Sequence, residues 1–259
     1  MNAYERVMAA RDSKRNLGAY YIYNILDDFI ELHGDRGFAD DAAIVGGIGM
    51  LNGTPVTAIA MERGNSIEER MKRHFGCPSP EGYRKALRLM KQAEKFKRPI
   101  ICIINSSGAY CGITAEERGQ GEAIAKNLMD MMTLKTPVIA VVAGEGGSGG
   151  ALALSVADRI IMLENAVYSV ISPEGCASIL WKDAKQAPAA AEALKLTAHD
   201  LYELKITDEI IPEGERMPEE ICANLKDELV KAVKEISSES ESDMLRNRYD
   251  KFRKIGAYK

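Results

Sequence analysis

The chain lacks most features that would place it in an extreme class. Its five cysteines, Cys77, Cys102, Cys111, Cys176 and Cys222, are odd in number. No two have C-x-x-C spacing, which argues against a disulfide framework and against a structural zinc site. Histidine is scarce, with three in 259 residues, and tryptophan occurs once. Positive charge is not in excess: Lys plus Arg is 34 and Asp plus Glu is 38, so the net charge of −4 carries no nucleic-acid footprint. The longest apolar runs, Ile100–Ile104 and Val138–Ala143, are too short to span a bilayer. Met1–Asn16 has no apolar stretch of the signal-peptide type, so the expectation is a cytoplasmic chain with reduced thiols.

What is present is a coarse α/β alternation. Residues 17–33 place Tyr20, Ile22, Tyr23, Leu26, Phe29, Ile30 and His33 near helical spacing, which predicts one helix stopping at Gly34. Two strand-like runs, 43–51 and 54–61, flank Asn52-Gly53, a hairpin signal because both turn residues need positive φ. Residues 64–80 read as a loop, and Glu81–Phe96 as an amphipathic helix with Ala86, Leu87, Met90 and Ala93 inward. Its basic residues Arg84, Lys85, Arg88 and Lys91 read as a solvated face. Two buried strands then recur, after Pro99 and after Pro137, each followed by a glycine-bearing loop and a helix, from Ala115 and from about Ala151. Such units indicate parallel strands covered on both faces. Residues 159–163 and 167–171 continue as strands, Ser172-Pro173-Glu174 starts a helix, and residues from Pro218 onward are helical. The expectation is a single domain over 1–259, with a core over 17–212 and a helical tail over 213–259.

Glycine is ordinary in number, 22, but nine of these fall between Gly108 and Gly150. The segment Gly144-Glu-Gly-Gly-Ser-Gly-Gly150 satisfies several patterns. As G-x-G-x-x-G through Gly144, Gly146 and Gly149, with Glu164 as the ribose acid, it suggests an NAD-dependent oxidoreductase. As G-x-S-x-G around Ser148 it suggests a nucleophile elbow, with His199 and Asp183 or Glu192 as partners. No Lys-Ser/Thr pair follows, so it is not a P-loop. The fourth reading uses main chain alone: glycines at a helix start leave N–H groups uncovered and stabilise an oxyanion, worth roughly 3–4 kcal/mol per donor. Gly108 and Ala109 in the preceding loop offer a second such pair.

Longer strings carry a more specific signal. Glu31-Leu-His-Gly-Asp-Arg36, Asp41-Ala-Ala-Ile-Val-Gly-Gly47, Pro80-Glu-Gly-Tyr-Arg-Lys-Ala-Leu-Arg-Leu-Met90, Ala115-Glu-Glu-Arg-Gly-Gln120, Gly144–Ala153 and Ser172–Asp183 together resemble the alpha subunit of the bacterial acetyl-CoA carboxylase carboxyltransferase. The resemblance implies a crotonase (ClpP-like) fold: a β-β-α superhelix with a mainly parallel sheet and helical N- and C-terminal appendages. It implies transfer of a carboxyl group from N-carboxybiotin, on the biotin carboxyl carrier protein, to acetyl-CoA, giving malonyl-CoA for fatty-acid synthesis. ATP is used by the separate biotin carboxylase, zinc belongs to the beta subunit, and the assembly is alpha-two beta-two. No metal is expected in this chain, and neither nucleic acid nor membrane is needed. By the same resemblance, Gly149 and Gly150 hold the biotin ureido oxygen, with Gly146, Gly147 and Ser148 beside them and Gly108 and Ala109 in second rank. Gly150→Val is then expected to cut turnover by orders of magnitude while leaving the chain folded.

Some positions depart from the family pattern. Asn105-Ser-Ser-Gly-Ala-Tyr-Cys-Gly112 lacks an acid and two prolines of the usual Asp-Thr-Pro-Gly-Ala-Tyr-Pro-Gly, and Ala60-Met-Glu-Arg-Gly64 lacks the usual lysine. The N-terminal extension of longer members is also absent. A crotonase-like scaffold without activity is therefore an alternative. Lys72-Arg73-His74 is a candidate phosphate contact, Trp181 a core or interface residue, and Met129, Met131 and Met132 packing residues.

Overall fold

The structure is a computed structural model and describes residues 1–256. It opens with α1, Ala3–Arg11, started by an Asn2–Glu5 capping box, and α2, Gly18–Ile25. The chain then enters β1 (Asp27–Glu31), β2 (Ile44–Leu51) and β3 (Thr54–Met61), with helix α3 (Ile67–Lys72) and a short turn at His74–Gly76 before α4 (Pro80–Lys95). Next come β4 (Ile100–Ser106), α5 (Ile113–Glu117), α6 (Gln120–Thr133), β5 (Val138–Gly147) and α7 (Ser148–Leu152). The rest is β6 (Arg159–Leu163), β7 (Val167–Ser169), α8 (Pro173–Trp181), α9 (Ala187–Leu194), α10 (Ala198–Glu203), β8 (Glu209–Ile211), α11 (Pro218–Ser237) and α12 (Glu241–Lys254).

Strands lie in the order β1-β2-β3-β4-β5-β6-β8. The β1-β2-β3 meander is antiparallel and every pair from β3 onward is parallel. The hairpin between β2 and β3 turns at Asn52 (φ 46) and Gly53 (φ 78), as the Asn-Gly pair requires. β4 and the first seven residues of β5 are buried throughout, the signature of central parallel strands. β5 is longer than its neighbour. It pairs with β6 over Ile139–Val142 and then with β7 over Glu145–Gly147.

Several expectations change. The helix expected over 17–33 ends at Ile25, and Phe29 and Ile30 lie in edge strand β1, with Ile30 opposite Ile48. The loop expected over 64–80 holds α3, capped by Ser66 and Glu69. The helix expected from Ala115 breaks at Gly119 (φ 80) into α5 and α6. Of the basic face of α4 only Lys91 is well solvated. Lys85 is fully buried, with Nζ 2.7 Å from the Ile44 carbonyl and 2.8 Å from Asp40. Arg84 binds Asp35 at 2.9 Å and Glu81 at 3.1 Å, and Arg88 donates to the Gly34 carbonyl. This face thus clamps the 33–44 segment.

The core joins α2, α4, β2–β6, α11 and part of α12. From the tail come Leu225, Leu229, Ala232 and Met244. Arg248 is fully buried and grips Asp158 with two bonds of 2.7 Å, while also donating to the carbonyls of Met131, Leu134 and Thr136. No helix among the described residues is long and apolar enough to cross a membrane.

Candidate active site

Two chain segments meet at the ends of β4 and β5. Ser106 sits opposite Gly146, after a register shift past Ile104. Segment 144–150 is not one loop: its first four residues finish β5 and its last three begin α7. The glycines have different physical reasons. A Cβ on Gly147 would lie 2.0 Å from the Ser107 carbonyl oxygen, and one on Gly144 would lie 2.4 Å from Asn105 Oδ1. A Cβ on Gly150 would lie 2.5 Å from the Ala109 nitrogen and 2.8 Å from the Gly108 carbonyl carbon. These three glycines let the two segments touch. Gly149 is different: a Cβ there would meet only Ile124, at 3.8 Å. Internal packing does not require a glycine at 149.

The backbone donors sort in the same way. Ser148, Gly149 and Gly150 begin α7, so their N–H groups have no acceptor within the helix. The Gly108 N–H donates to Ser106 Oγ at 3.1 Å, and that hydroxyl donates to the Gly108 carbonyl at 2.8 Å. Gly108 is thus already engaged, which leaves Ala109 as the donor of that pair; its N–H finds no backbone acceptor among the described residues. Ser148 holds φ 55, a left-handed conformation that is strained for a residue with a side chain.

Two cavities meet at Ser148, Ser169 and Val170. The smaller, about 70 Å³, is lined by Arg11, Ser107, Glu145, Gly146 and Gly147 among others. The wider, about 430 Å³, is lined by Gly149, Leu152, Tyr168, Leu201, Ile206 and Ile255 and is mostly apolar. Its size suits a small-molecule ring system. Val170, which lines both cavities, is exposed, as are Ile179, Leu180 and Trp181 on α8, which places Trp181 on the surface and not in the core.

Side chains missed in the sequence gather here. Arg11 Nε lies 2.7 Å from Glu145, and its Nη1 lies 2.8 Å from Glu174. Burial disfavours the Arg11 charge, but the hydrogen bonds it donates to Glu174 and Glu145, with their negative charge, outweigh this and raise the pKa. Burial pushes Glu174 up, and the hydrogen bonds it accepts, from Arg11 foremost, together with the Arg11 charge bring its pKa below the ordinary value. Glu145 occupied a variable position in every glycine pattern, so no motif drew attention to it. The one available signal for Arg11 was the Asn2–Glu5 capping box, which marks the start of its helix. Tyr83, from α4, is fully buried with its hydroxyl unpaired, 2.9 Å from where a Gly150 Cβ would stand.

The rival motifs lose their geometry. Gly144 and Gly146 are strand residues, and Glu164 accepts the N–H groups of Glu213 and Gly214, at 2.9 and 3.3 Å, far from a ribose-binding role. His199 is exposed and lies 3.9 Å from Glu164, and no hydrogen bond among the described residues joins it to Ser148 as a base. His74 stacks on Tyr110 at 4.4 Å, and Arg73 donates to the Ala42 carbonyl. No group of three or more potential metal-ligating side chains occurs among the described residues.

A mostly parallel sheet with an extended central strand and a second short strand on its tip is the crotonase-type fold expected from the sequence. A family model described as acetyl co-enzyme A carboxylase carboxyltransferase-like matches residues 1–256. The chain belongs to this family, on the alpha-subunit side. The acetyl-coenzyme A carboxylase carboxyl transferase subunit alpha of Clostridium acetobutylicum is 56% identical over 262 residues, covering 100% of this chain and 96% of that one. The subunit alpha of Streptococcus gordonii is 54% identical, covering 96% and 97%. Among solved structures, transcarboxylase 12S with methylmalonyl-coenzyme A bound has a TM-score of 0.71 at 20% identity, covering 86% of this chain. This chain spans 42% of the transcarboxylase chain. A Pseudomonas malonate decarboxylase hetero-tetramer gives a TM-score of 0.66 at 19% identity, covering 81% and 85%. These two likenesses establish the fold.

Proposed function

We propose that this chain pairs with a carboxyltransferase beta subunit and catalyses carboxyl transfer between N-carboxybiotin and acetyl-CoA, forming malonyl-CoA for fatty-acid synthesis in the cytoplasm. Gly149 is the observation that carries the reading. Its missing side chain is unexplained by packing, and it stands where first-turn N–H groups face an apolar groove. Carboxybiotin, delivered on its carrier protein, supplies the activated carboxyl group, and the ureido oxygen gains negative charge as that group departs. The Gly149 and Gly150 N–H groups stabilise this oxygen, aided by the positive end of α7. Gly146, Gly147 and Ser148 shape the approach, and Ala109 offers a further donor. Leu152, Leu201 and Ile206 exclude water, which strengthens each donor. No side-chain base is assigned, because the biotin nitrogen left by carboxyl departure is itself basic enough to take the acetyl proton.

The exposed apolar residues Val170, which lines the groove, and Ile179, Leu180 and Trp181 of α8 are the surface we assign to the beta subunit, in an alpha-two beta-two assembly. Zinc would reside in that partner, and ATP would be consumed by biotin carboxylase.

The test mixes the purified chain with a matching beta subunit and follows malonyl-CoA-dependent carboxylation of biocytin. Turnover that requires both chains is expected. A beta subunit that is competent with another alpha chain but silent with this one overturns the reading and leaves a scaffold without activity.

A further inference from the structure

We propose that Arg11 is a positioning residue for the carboxyl transfer, pairing with two carboxylates, Glu145 and Glu174, beside the anion-stabilising main chain and halving their combined charge. The inference rests on the function proposed above. Arg11 is the last residue of α1 and reaches two different walls. One is β5, where Glu145 stands between Gly144 and Gly146. The other is the first turn of α8, where Glu174 also lies 3.4 Å from the Tyr4 hydroxyl. The Glu145 N–H is fixed in turn to Asn105 Oδ1 at 3.2 Å. Arg11 thus ties N-terminal helix, glycine strand and α8 at one point.

The charge balance at this point is unusual for an anion-stabilising site. A cavity of about 70 Å³ has Glu145, Gly146, Gly147 and Ser148 among its lining residues. A carboxylate there opposes negative charge developing at the neighbouring N–H groups. Among the described residues, neither Glu145 nor Glu174 has another cation within 4 Å. Arg11 is therefore the group that holds both carboxylates in fixed positions and offsets one of their two charges. A guanidinium suits this better than an ammonium, because its fork binds two acceptors in one plane.

The test uses the chain with its beta subunit and the biocytin assay. Arg11→Met is expected to lower kcat by about tenfold or more, because an uncompensated carboxylate then faces the developing anion, with KM for malonyl-CoA unchanged. Adding Glu145→Gln to Arg11→Met should restore most of the lost kcat, because the offending charge is gone. A strut without an electrostatic role predicts the opposite, since the double variant breaks the same contacts. Arg11→Lys, which keeps charge and loses the fork, should fall between. If Arg11→Met does not fold, the double variant decides alone: kcat within about threefold of the unsubstituted chain supports the assignment, and a loss of about tenfold or more overturns it. Inactivity of the unsubstituted pair would instead refute the carboxyltransferase reading, and this inference with it.

Discussion

Adding a single methyl group at Gly149 or at Gly150 should give opposite results in two assays. At Gly150 a Cβ would sit 2.5 Å from the Ala109 nitrogen and 2.8 Å from the Gly108 carbonyl carbon. Both neighbours are backbone, so the 107–110 segment must move by about 1 Å to reach ordinary contact. Overpacking of this kind costs about 1–3 kcal/mol. For a chain of this size that lowers the melting temperature by about 2–10 °C. At Gly149 a Cβ meets only Ile124 at 3.8 Å, an ordinary contact, and alanine is a better helix residue than glycine by up to ~1 kcal/mol. Gly149→Ala should therefore melt at the same temperature or slightly higher. Its methyl group, however, enters the groove where the oxyanion must reach the N–H groups. Loss of one such donor costs about 10²–10³ in kcat. Differential scanning fluorimetry and the biocytin assay on both variants check the pair. Full activity in Gly149→Ala would refute the backbone-donor assignment, and unchanged melting in Gly150→Ala would refute the packing argument. Gly150→Val, expected from the sequence to leave the fold intact, is instead expected to disturb it.

Three other outcomes are expected. Arg248→Ala should lower stability by about 3–5 kcal/mol, because it leaves the buried Asp158 carboxylate without its cation, whereas Arg248→Met with Asp158→Asn should recover part of the loss in denaturant titration. Burial alone would raise Asp40, but hydrogen bonds from Lys85, the Gly34 N–H and His33 pull its pKa from 3.8 down to about 2. A depressed carboxylate stabilises the fold above its unfolded pKa and loses that contribution as pH falls through the folded value, so melting temperature should drop between pH 3.8 and 2 and Asp40→Asn should flatten part of that drop. Brief iodoacetamide treatment read by mass spectrometry should label exposed Cys111 first and leave Cys102 untouched, since burial pushes the Cys102 thiol up to about 12.

Much of the architecture was legible because local chemistry and tertiary context agree. Asn52-Gly53 and Ser172-Pro173 each demand one backbone geometry, and both appear. The continuous apolar runs of β4 and β5 admit only burial on both faces. The misreadings arise where pairing overrides spacing. Phe29 and Ile30 keep helical spacing with Tyr23 and Leu26, yet β2 offers an open edge, and the strand wins. Gly144–Gly147 reads as loop by composition but is strand, because β7 supplies hydrogen bonds that no local rule foresees. Lys85 reads as solvent-facing by type, and only the Ile44 carbonyl and Asp40 explain its burial. Within the site, the glycines identified the segment. Their separate roles became visible only through what each absent side chain would have met, and Arg11 and Glu145, 134 residues apart, left no joint trace.

The Arg248–Asp158 grip also sets an order of events during synthesis. Asp158 emerges from the ribosome 90 residues before the arginine that completes its environment. At about 5–20 residues per second, that interval is roughly 5–18 s. Throughout it, the turn between α6 and β5 has its carbonyls at Met131, Leu134 and Thr136 waiting for the same side chain. The nascent sheet is consequently left with an open lower end until the final helix docks, so the scaffold that carries the glycine-bearing end at its opposite side is fully locked only once α12 has closed.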